Sequence, residues 1–355
     1  MSTPMTAKRL VPARILVPTL TAAVLGLAIG AAAAAGFRIQ EVPDIAKVAP
    51  GSLPAGTIAF TDHRDDSLVD PKTGLIRFSD WAKARPQQKR LLALYPAYEE
   101  PSVTATVNGV SKTFKRKLHM YVAEAKLELA RPPASVDLTR FVTLPTLETM
   151  DPAIKHRLIG PDAVVPNKDA RLSAHNPDRR WCESPTTTIC VQSRYQFEGK
   201  LPAAIMLLNK LRDSGKQIAD HLEFQSEVRI VPPADIDQAA VAALTGVDTP
   251  VAAALEQTIV HVNQVMQFGK VLAVLQPSPA DPNRTIASMF VALAVESDLF
   301  EKRKELEGVP VLRNMVPAQV LAGNSSFNTG SSISAGLPSY SRNRIEAIAA
   351  ALAAR

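Results

Sequence analysis

The sequence predicts an α+β fold, in which an N-terminal membrane segment precedes an exported domain with a mainly antiparallel sheet and helices on one face. Three observations predict it. A charge-free apolar run stands near the N-terminus, two cysteines lie close together mid-chain, and the second half alternates strand-like and helix-like segments. The 355 residues are 46% hydrophobic, which is enough for one large or two ordinary domains with a core.

The N-terminus has the composition of a targeting or anchoring segment. Residues 1–14 form a basic leader, predicted to be cytoplasmic, and residues 15–37 carry no charge. A run of this length can cross a hydrocarbon core of ~30 Å as a helix, and positive charge before it keeps the leader in the cytoplasm. The alanines at 31–35 suit a cleaved signal peptide equally well. Anchor and signal peptide both stay open, and both export the rest of the chain.

We therefore expect a single-pass protein of the inner (plasma) membrane with its C-terminal domain outside the cytoplasm, which is the periplasm in a Gram-negative cell. The alternative is a secreted or periplasmic protein after signal cleavage. Residues 38–57 are rich in Pro, Gly and Ala and are predicted to be a linker. Residues 58–355 would form the exported α+β domain, with a candidate sub-boundary in 130–180, where prolines interrupt periodicity.

The charge pattern bears on the partners. The formal net charge is +6, and three of those charges belong to the leader. The basic stretch at 112–117 lacks interleaved aromatics, so we expect no nucleic-acid partner; charges that protect an edge strand explain it better. The expected partners are the membrane, through residues 15–37, and an envelope protein or lipid.

Cys182 and Cys190 are the two cysteines of the chain. Their C-x7-C spacing is neither the C-x-x-C of a redox motif nor part of a four-ligand zinc pattern. An exported chain meets an oxidising compartment, where such a pair usually forms a disulfide. Ser184-Pro185 predicts a turn, and a strand-like run follows it. We therefore predict a disulfide across a hairpin, no metal site and no cofactor.

Local patterns predict most of the remaining elements. Asn108-Gly109 stands between two β-branched runs, which predicts a hairpin with a two-residue type I′ turn. Apolar spacing predicts a helix over 201–222, and Asp235 is a candidate helix start. Residues 257–276 and 284–300 are predicted to be two long strands joined by a turn.

The chain ends in a predicted helix over 339–355. Ile345, Ile348 and Leu352 fall on one face of this helix, which is the spacing of a helix that packs on a core. The alternation of strands and helices, followed by a long hairpin, is what predicts the antiparallel sheet.

Recognisable catalytic motifs are missing from the sequence: it contains no phosphate-binding loop, no serine-hydrolase elbow and no zinc-protease motif. One polar cluster remains a candidate site, formed by Asp62, His63, Asp65 and Asp66. Carboxylates beside a histidine can perform acid–base chemistry or hold a cation. A solvated charged loop explains the same residues.

A second candidate is a loop rich in Asn, Ser and Gly that precedes the last helix. Backbone N–H groups and hydroxyls near a helix N-terminus can hold an anion, but a flexible surface loop, which explains the same composition, is favoured because no phosphate-binding order of residues is present. The residues that would form this anion loop are Asn324, Ser325, Ser326, Asn328 and Thr329.

These observations favour a membrane-anchored or secreted cell-envelope protein that is not an enzyme and binds a partner or a small apolar ligand. The long aliphatic strands could enclose a cavity for such a ligand. The alternative is an exported hydrolase that acts on envelope polymers or esters, since enzymes without local sequence signatures are common.

Overall fold

A long, mainly antiparallel sheet organises the fold. The computed structural model of the chain describes residues 37–62, 69–70, 75–77, 80–81, 83, 87, 102–107, 110–115, 118–168, 180–184, 187–196, 219–263, 266–296 and 329–354. The predicted leader and most of the predicted membrane segment therefore lie outside the described residues. Within those ranges, no helix combines the length and the apolar character that crossing a membrane requires.

The sheet has the strand order β1-β2-β7-β13-β12-β11-β10-β9-β8, and β4 also pairs with β7 while β3 pairs with β4. Strands β1 and β2 run parallel, whereas the other described pairs are antiparallel. The strands are β1 Arg38–Glu41, β2 Thr57–Thr61, β3 Val69–Asp70, β4 Leu75–Arg77, β5 Ser102–Val107, β6 Val110–Lys115, β7 Leu118–Leu129, β8 Lys155–Leu158, β9 Thr188–Gln196, β10 His221–Val231, β11 Ala253–Val262, β12 Met266–Pro277 and β13 Thr285–Glu296.

Four α-helices are described beside this sheet: α1 Leu144–Met150, α2 Val165–Lys168, α3 Gln238–Thr245 and α4 Thr329–Ala353. Short 3₁₀ helices cover Ile45–Lys47, Pro133–Ser135, Thr139–Val142, Pro161–Ala163 and Pro233–Asp235. A mixed α+β fold, mostly sheet with a few helices, is thus what the chain adopts.

Successive side chains of a strand point to opposite faces of a sheet, which defines two surfaces here. Face A carries the odd-numbered residues of β7 and β13, such as Leu127 and Met289, and packs into the largest apolar cluster. Face B carries their even-numbered residues, such as Met120 and Phe290, which belong to other clusters.

Helices cover both faces of the sheet, so the prediction of helices on one face is wrong. Helices α1 and α4 pack on face A, where Leu147, Ile345, Ile348 and Leu352 are buried; this confirms the predicted apolar face of the closing helix. Helix α3 packs on face B through Val241 and Leu244. These strands carry apolar residues at both odd and even positions, so both faces of the sheet must be buried. A single layer of helices would leave one apolar face exposed to water.

Helix α3 shows how local signals position an element. The Asp237 carboxylate accepts a hydrogen bond from the Ala240 N–H at 3.0 Å and so caps the helix, which corrects the predicted start at Asp235. Gly246 ends the helix with φ 66°. A Cβ at Gly246 would lie 2.2 Å from the Ala46 carbonyl oxygen, so this glycine also allows the close approach of the Ile45–Lys47 helix.

Residues 38–57 are part of the folded structure rather than the predicted linker. Strand β1 pairs with β2 along its whole length, and Ile45 is fully buried beneath α3. The segment is rich in Pro and Gly because it contains tight turns. Two of these turns contain Gly51 and Gly56, which both have positive φ.

The predicted long strand over 257–276 is two strands. Strand β11 ends at Val262 and β12 begins at Met266. Asn263 lies at the break, and its side-chain oxygen accepts from the Glu223 N–H at 3.0 Å while its Nδ2 donates to the His221 carbonyl at 3.1 Å. An asparagine is a turn former. The strand-like residues on both sides of Asn263 favoured the prediction of one continuous strand.

Other predictions can be compared directly. Strands β5 and β6 pair with Val107 opposite Val110, which confirms the hairpin around Asn108-Gly109, and β12 and β13 pair as the expected antiparallel hairpin.

Helix α4 begins at Thr329, ten residues before the predicted start, because Ser, Gly and Pro in its first turns mask the helical pattern. The predicted helix over 201–222 lies almost entirely outside the described residues.

Candidate functional site

A buried polar network joins α4 to face A. Arg344 is only 3% exposed. Its Nη1 contacts the Asp151 carboxylate at the end of α1, and its Nη2 donates to Gln257 Oε1 of β11 at 2.6 Å. Burial of an ion pair is favourable only when such additional hydrogen bonds satisfy the charged groups, and Gln257 supplies one. The Arg344 Nε, however, is buried without a hydrogen-bond partner among the described residues.

A small cavity adjoins this network between α1, α4 and the sheet. Its volume is about 10 Å³, which is about the space that one water molecule needs. Eight of its ten lining residues are apolar, so the cavity has an apolar body and one polar end. The lining residues are Phe141, Leu147, Met150, Val228, Leu255, Gln257, Val271, Ala273, Arg344 and Ile348.

Burial beside the network shifts the pKa values of two neighbouring groups. Burial raises the pKa of Tyr340 to about 12; Arg344 opposes that shift and Asp151 adds to it. Burial also lowers the pKa of the His156 imidazole below its usual range, with Asp151 opposing and Arg344 reinforcing the shift. Tyr340 and His156 are therefore both held neutral near pH 7.

His156 and Ser193 form the pair that most resembles hydrolase machinery in the described part of the chain. They face each other in the β8–β9 register, and His156 Nδ1 lies 2.8 Å from Ser193 Oγ. A catalytic triad requires a carboxylate on the other ring nitrogen of the histidine. His156 Nε2 has no hydrogen-bond partner among the described residues, Asp151 is bound by Arg344, and Ser193 is fully buried.

Face B carries a second buried ionic cluster, at the centre of the sheet. Glu256 of β11 lies 2.7 Å from Lys270 Nζ of β12 and 3.3 Å from Arg229 Nη2 of β10. Thr258 donates its hydroxyl to the same carboxylate. Glu256 and Lys270 are each only 1% exposed. Their charges are paired across neighbouring strands, where opposite charges support the register of the sheet.

Lys126 of β7 forms a separate contact on face B. Its Nζ donates to the Thr245 carbonyl at 2.5 Å and to the Val48 carbonyl at 3.1 Å. Thr245 is the last residue of α3, where carbonyl groups lack helical partners and the helix dipole favours a cation. Burial lowers the pKa of Lys126 to about 8, which Asp44 partly opposes.

The predicted disulfide between Cys182 and Cys190 is present, with the two Cα atoms 6.0 Å apart. It does not cross a hairpin, because Cys182 lies in the loop before β9 while Cys190 lies within that strand. Cys182 has φ 69°, a left-handed conformation that side chains rarely adopt. Its N–H donates to Glu227 Oε2 of β10 at 2.8 Å.

The sequence-predicted sites are only partly described. Asp62 is buried beside face A, where the Tyr121 hydroxyl donates to its Oδ2 at 3.2 Å. His63, Asp65 and Asp66 lie outside the described residues. In the candidate anion loop, Thr329 is the first residue of α4, and the remaining members, Asn324, Ser325, Ser326 and Asn328, also lie outside the described residues.

Sequence reasoning missed the residues of the network and the ionic cluster, although one signal was available. Arg344 interrupts the apolar face that Ile345, Ile348 and Leu352 define, and Glu256 and Lys270 interrupt strongly apolar strands. Charged residues are almost never fully buried unless they are paired. A charge inside an apolar periodic run therefore predicts a buried partner on another element, but it does not identify that partner.

No family model and no curated protein matches the chain. Among solved structures, the truncated norcoclaurine synthase from Thalictrum flavum is similar, with 10% sequence identity and a TM-score of 0.26. The match covers 66% of this chain and 95% of that one. At this identity and TM-score, the similarity supports no conclusion about the present chain.

Proposed function

We propose that the chain is an exported cell-envelope protein, anchored by residues 15–37 or released by their cleavage, that binds a small apolar ligand or an apolar group of a partner between α4 and face A. One observation carries the proposal: the cavity under α4 has an apolar body and a polar end at Arg344 and Gln257. Binding sites for small molecules commonly combine these two features.

The cavity as described is too small for such a ligand, so α4 would move outward to admit it. This movement is compatible with the sheet, because α4 is joined to face A through side chains rather than through strand hydrogen bonds. The apolar faces of α4 and the sheet would then line a larger space. The unpartnered Arg344 Nε would donate to one acceptor atom of the ligand, which favours an apolar molecule with a single polar group.

The disulfide supports the exported location. Disulfides persist in secreted and periplasmic proteins and are rare in the cytosol. Cys182 and Cys190 are joined in the structure, as expected of a chain whose leader directs it out of the cytoplasm. The envelope location itself rests on the composition of residues 1–37.

Intact mass spectrometry of the chain purified from cells tests the proposal directly. A small mass that is retained under native conditions and lost on unfolding would be the ligand, and the mass of the polypeptide would show whether the N-terminus was cleaved. A binding assay with an apolar fluorescent probe then locates the site. Ala273→Met fills the cavity on face A and should weaken binding at least about tenfold, which corresponds to ~1.4 kcal/mol.

Ala254→Met is the matched control, because Ala254 is buried on face B of the same sheet. It introduces the same side chain and comparable packing strain without touching the cavity. Equal effects of the two substitutions on probe affinity, or the absence of any saturable binding by the folded chain, would contradict a ligand site under α4.

An exported hydrolase acting on envelope polymers or esters is the second candidate, and the contact between His156 and Ser193 is the observation that favours it. A fluorophosphonate that labels active serines distinguishes the two functions. The binding proposal expects no labelling, because Ser193 is buried and no carboxylate of the described part of the chain bonds to His156 Nε2. Labelling that Ser193→Ala abolishes would establish the hydrolase instead.

A further inference from the structure

The disulfide shares its surroundings with a buried carboxylate. Cys190 and Glu227 are directly opposite each other in the β9–β10 register, so their side chains project from the same face of the sheet. Cys182 reaches the same place from the preceding loop, as its N–H bond to Glu227 Oε2 shows. The two Sγ atoms and a Glu227 oxygen all lie within 4.8 Å of one another.

We propose that, when the disulfide is reduced, Cys182, Cys190 and Glu227 form a binding site for Zn²⁺ or a similar thiophilic divalent cation. Thiolate and carboxylate are both ligands of zinc, at about 2.3 Å and 2.0–2.2 Å respectively. Ligand atoms around a tetrahedral zinc are then ~3.5–4 Å apart. The present arrangement needs the sulfurs to separate from bonding distance and the carboxylate to approach slightly.

The backbone already permits that rearrangement. The Cα atoms of the two cysteines are 6.0 Å apart, and each Sγ can reach a shared cation through rotation about its own side-chain bonds. Cys182 lies in a loop, and its positive φ would be relieved if the loop shifted after reduction. Cys190 and Glu227 are held by paired strands, which fixes two of the three ligands in advance.

The chemistry balances in two steps. An external dithiol reduces the Cys182–Cys190 bond: it becomes a disulfide itself, and both cysteines gain a proton. Zn²⁺ then displaces those two protons and binds two thiolates and one carboxylate, which leaves its fourth position for water. The site would carry one net negative charge, and Arg229 lies two residues beyond Glu227 on the same face to offset it.

The surroundings favour a bound cation over free thiolates. Cys190 and Glu227 are buried, and Val164, Trp181 and Val260 form an apolar cluster against Cys182. A buried carboxylate needs partners, and the Cys182 N–H is one of them in the oxidised form. Cys182 is only half-buried, so a dithiol in solvent can approach the bond from the side of this residue.

The test uses the full chain, reduced with dithiothreitol and desalted without oxygen, with Cd²⁺ as the first probe. Cadmium–thiolate bonds absorb in the ultraviolet and report thiolate ligation directly. We expect one Cd²⁺ per reduced chain, release of two protons, displacement by excess Zn²⁺ and no such absorption from the oxidised chain. Trp181, packed against Cys182, supplies a fluorescence readout of the same site.

Glu227→Gln should weaken binding by at least about 10- to 100-fold, because that range applies to loss of a group that only supports a metal ligand, and Glu227 is proposed as a ligand itself. Glu223→Gln is the matched control, because it removes the same charge from the same strand. Binding to the reduced chain that Glu227→Gln leaves unchanged, or the absence of thiolate absorption, would overturn the proposal. If the reduced chain unfolds, added Zn²⁺ should refold it, and failure to do so would overturn the proposal as well.

Discussion

The two faces of the sheet bury charge in different ways. On face A, one arginine from α4 inserts between an aspartate and a glutamine in an otherwise apolar layer. On face B, the Glu256 carboxylate holds two cations, all three supplied by neighbouring strands of the sheet. The face A network therefore links α4 to the end of α1 through Asp151 and to the sheet through Gln257, whereas the face B cluster links strands to one another.

This difference indicates which surface can open. If α4 moved away from face A, the Arg344–Asp151 contact would break, but the strand hydrogen bonds would remain. The face B cluster can break only if the strands themselves separate. The fold thus places one buried ionic cluster within the sheet. Helix α4, which would move for a ligand to enter, makes one buried ionic contact, Arg344–Asp151, and one more exposed contact, Arg342–Glu41.

Glu256→Gln is expected to have the largest effect on stability. It removes the negative charge that Glu256 places beside the buried Lys270 and the partly exposed Arg229, and breaking a buried ionic group typically costs about 3–5 kcal/mol. Urea unfolding followed by circular dichroism measures the loss. Glu183→Gln is the control, because Glu183 makes an exposed ion pair with Arg180 that should contribute less than ~1 kcal/mol. A similar small loss for both variants would mean that the face B cluster is hydrated.

Arg344→Met is expected to destabilise the chain by roughly 2–4 kcal/mol, because Asp151 would remain buried without its cation while the methionine recovers part of the packing. Unlike Glu256→Gln, it should also increase hydrogen exchange in α4 while leaving the sheet protected. The control is Arg342→Met on the same helix, which removes a more exposed contact with Glu41. An equal increase in hydrogen exchange in α4 and in the sheet would contradict the inference that α4 can move while the strands stay paired.

Replacement of both cysteines by alanine should lower stability by about 2.5 kcal/mol, the chain-entropy value for so short a loop. The effect should be local to the edge of face B, near Trp181. Chemical unfolding of the variant and of the reduced wild type in metal-free buffer should give matching midpoints. A clear mismatch between them would show that the sulfur atoms contribute beyond the crosslink.

The contribution of Lys126 to stability is expected to depend on pH. Its pKa is about 8 in the folded chain and about 10.4 when unfolded, so the unfolded state binds more protons between these values. Stability should therefore rise with pH across that window, through this residue. Lys126→Met should remove this rise, while Lys47→Met, at an exposed lysine, should preserve it. If the stability of Lys126→Met and of the wild type changed with pH in the same way, Lys126 would not be the source of the rise.

Local patterns predicted the elements whose signals are local. The pairing of β5 with β6, the last helix with Ile345 and Leu352 on its buried face, and the disulfide all follow from neighbouring residues and the expected compartment. The helical coverage of both faces did not follow, because the face on which a helix packs depends on chain crossovers that periodicity does not encode. Asn263 was overlooked because one turn residue inside a strand-like segment of 20 residues carries little weight.

The candidate site was less accessible to sequence reasoning than the fold. Arg344, Asp151 and Gln257 come from three elements that are far apart in the chain, so no spacing rule connects them. Glu227 and Cys190 meet only because of the β9–β10 register. Residue types predicted that buried charges need partners, but the pairing of strands and the position of α4 determine which partners they find.

Strand β1 bears on how the chain would be held at a membrane. It begins at Arg38 and is hydrogen-bonded to β2 from its first residue, so no spacer separates the sheet from residue 37. Consecutive Cα atoms are only ~3.8 Å apart. If residues 15–37 are a retained anchor, this edge of the sheet would have almost no tether length. The domain would then be confined to the bilayer surface and exposed to a high local concentration of lipid.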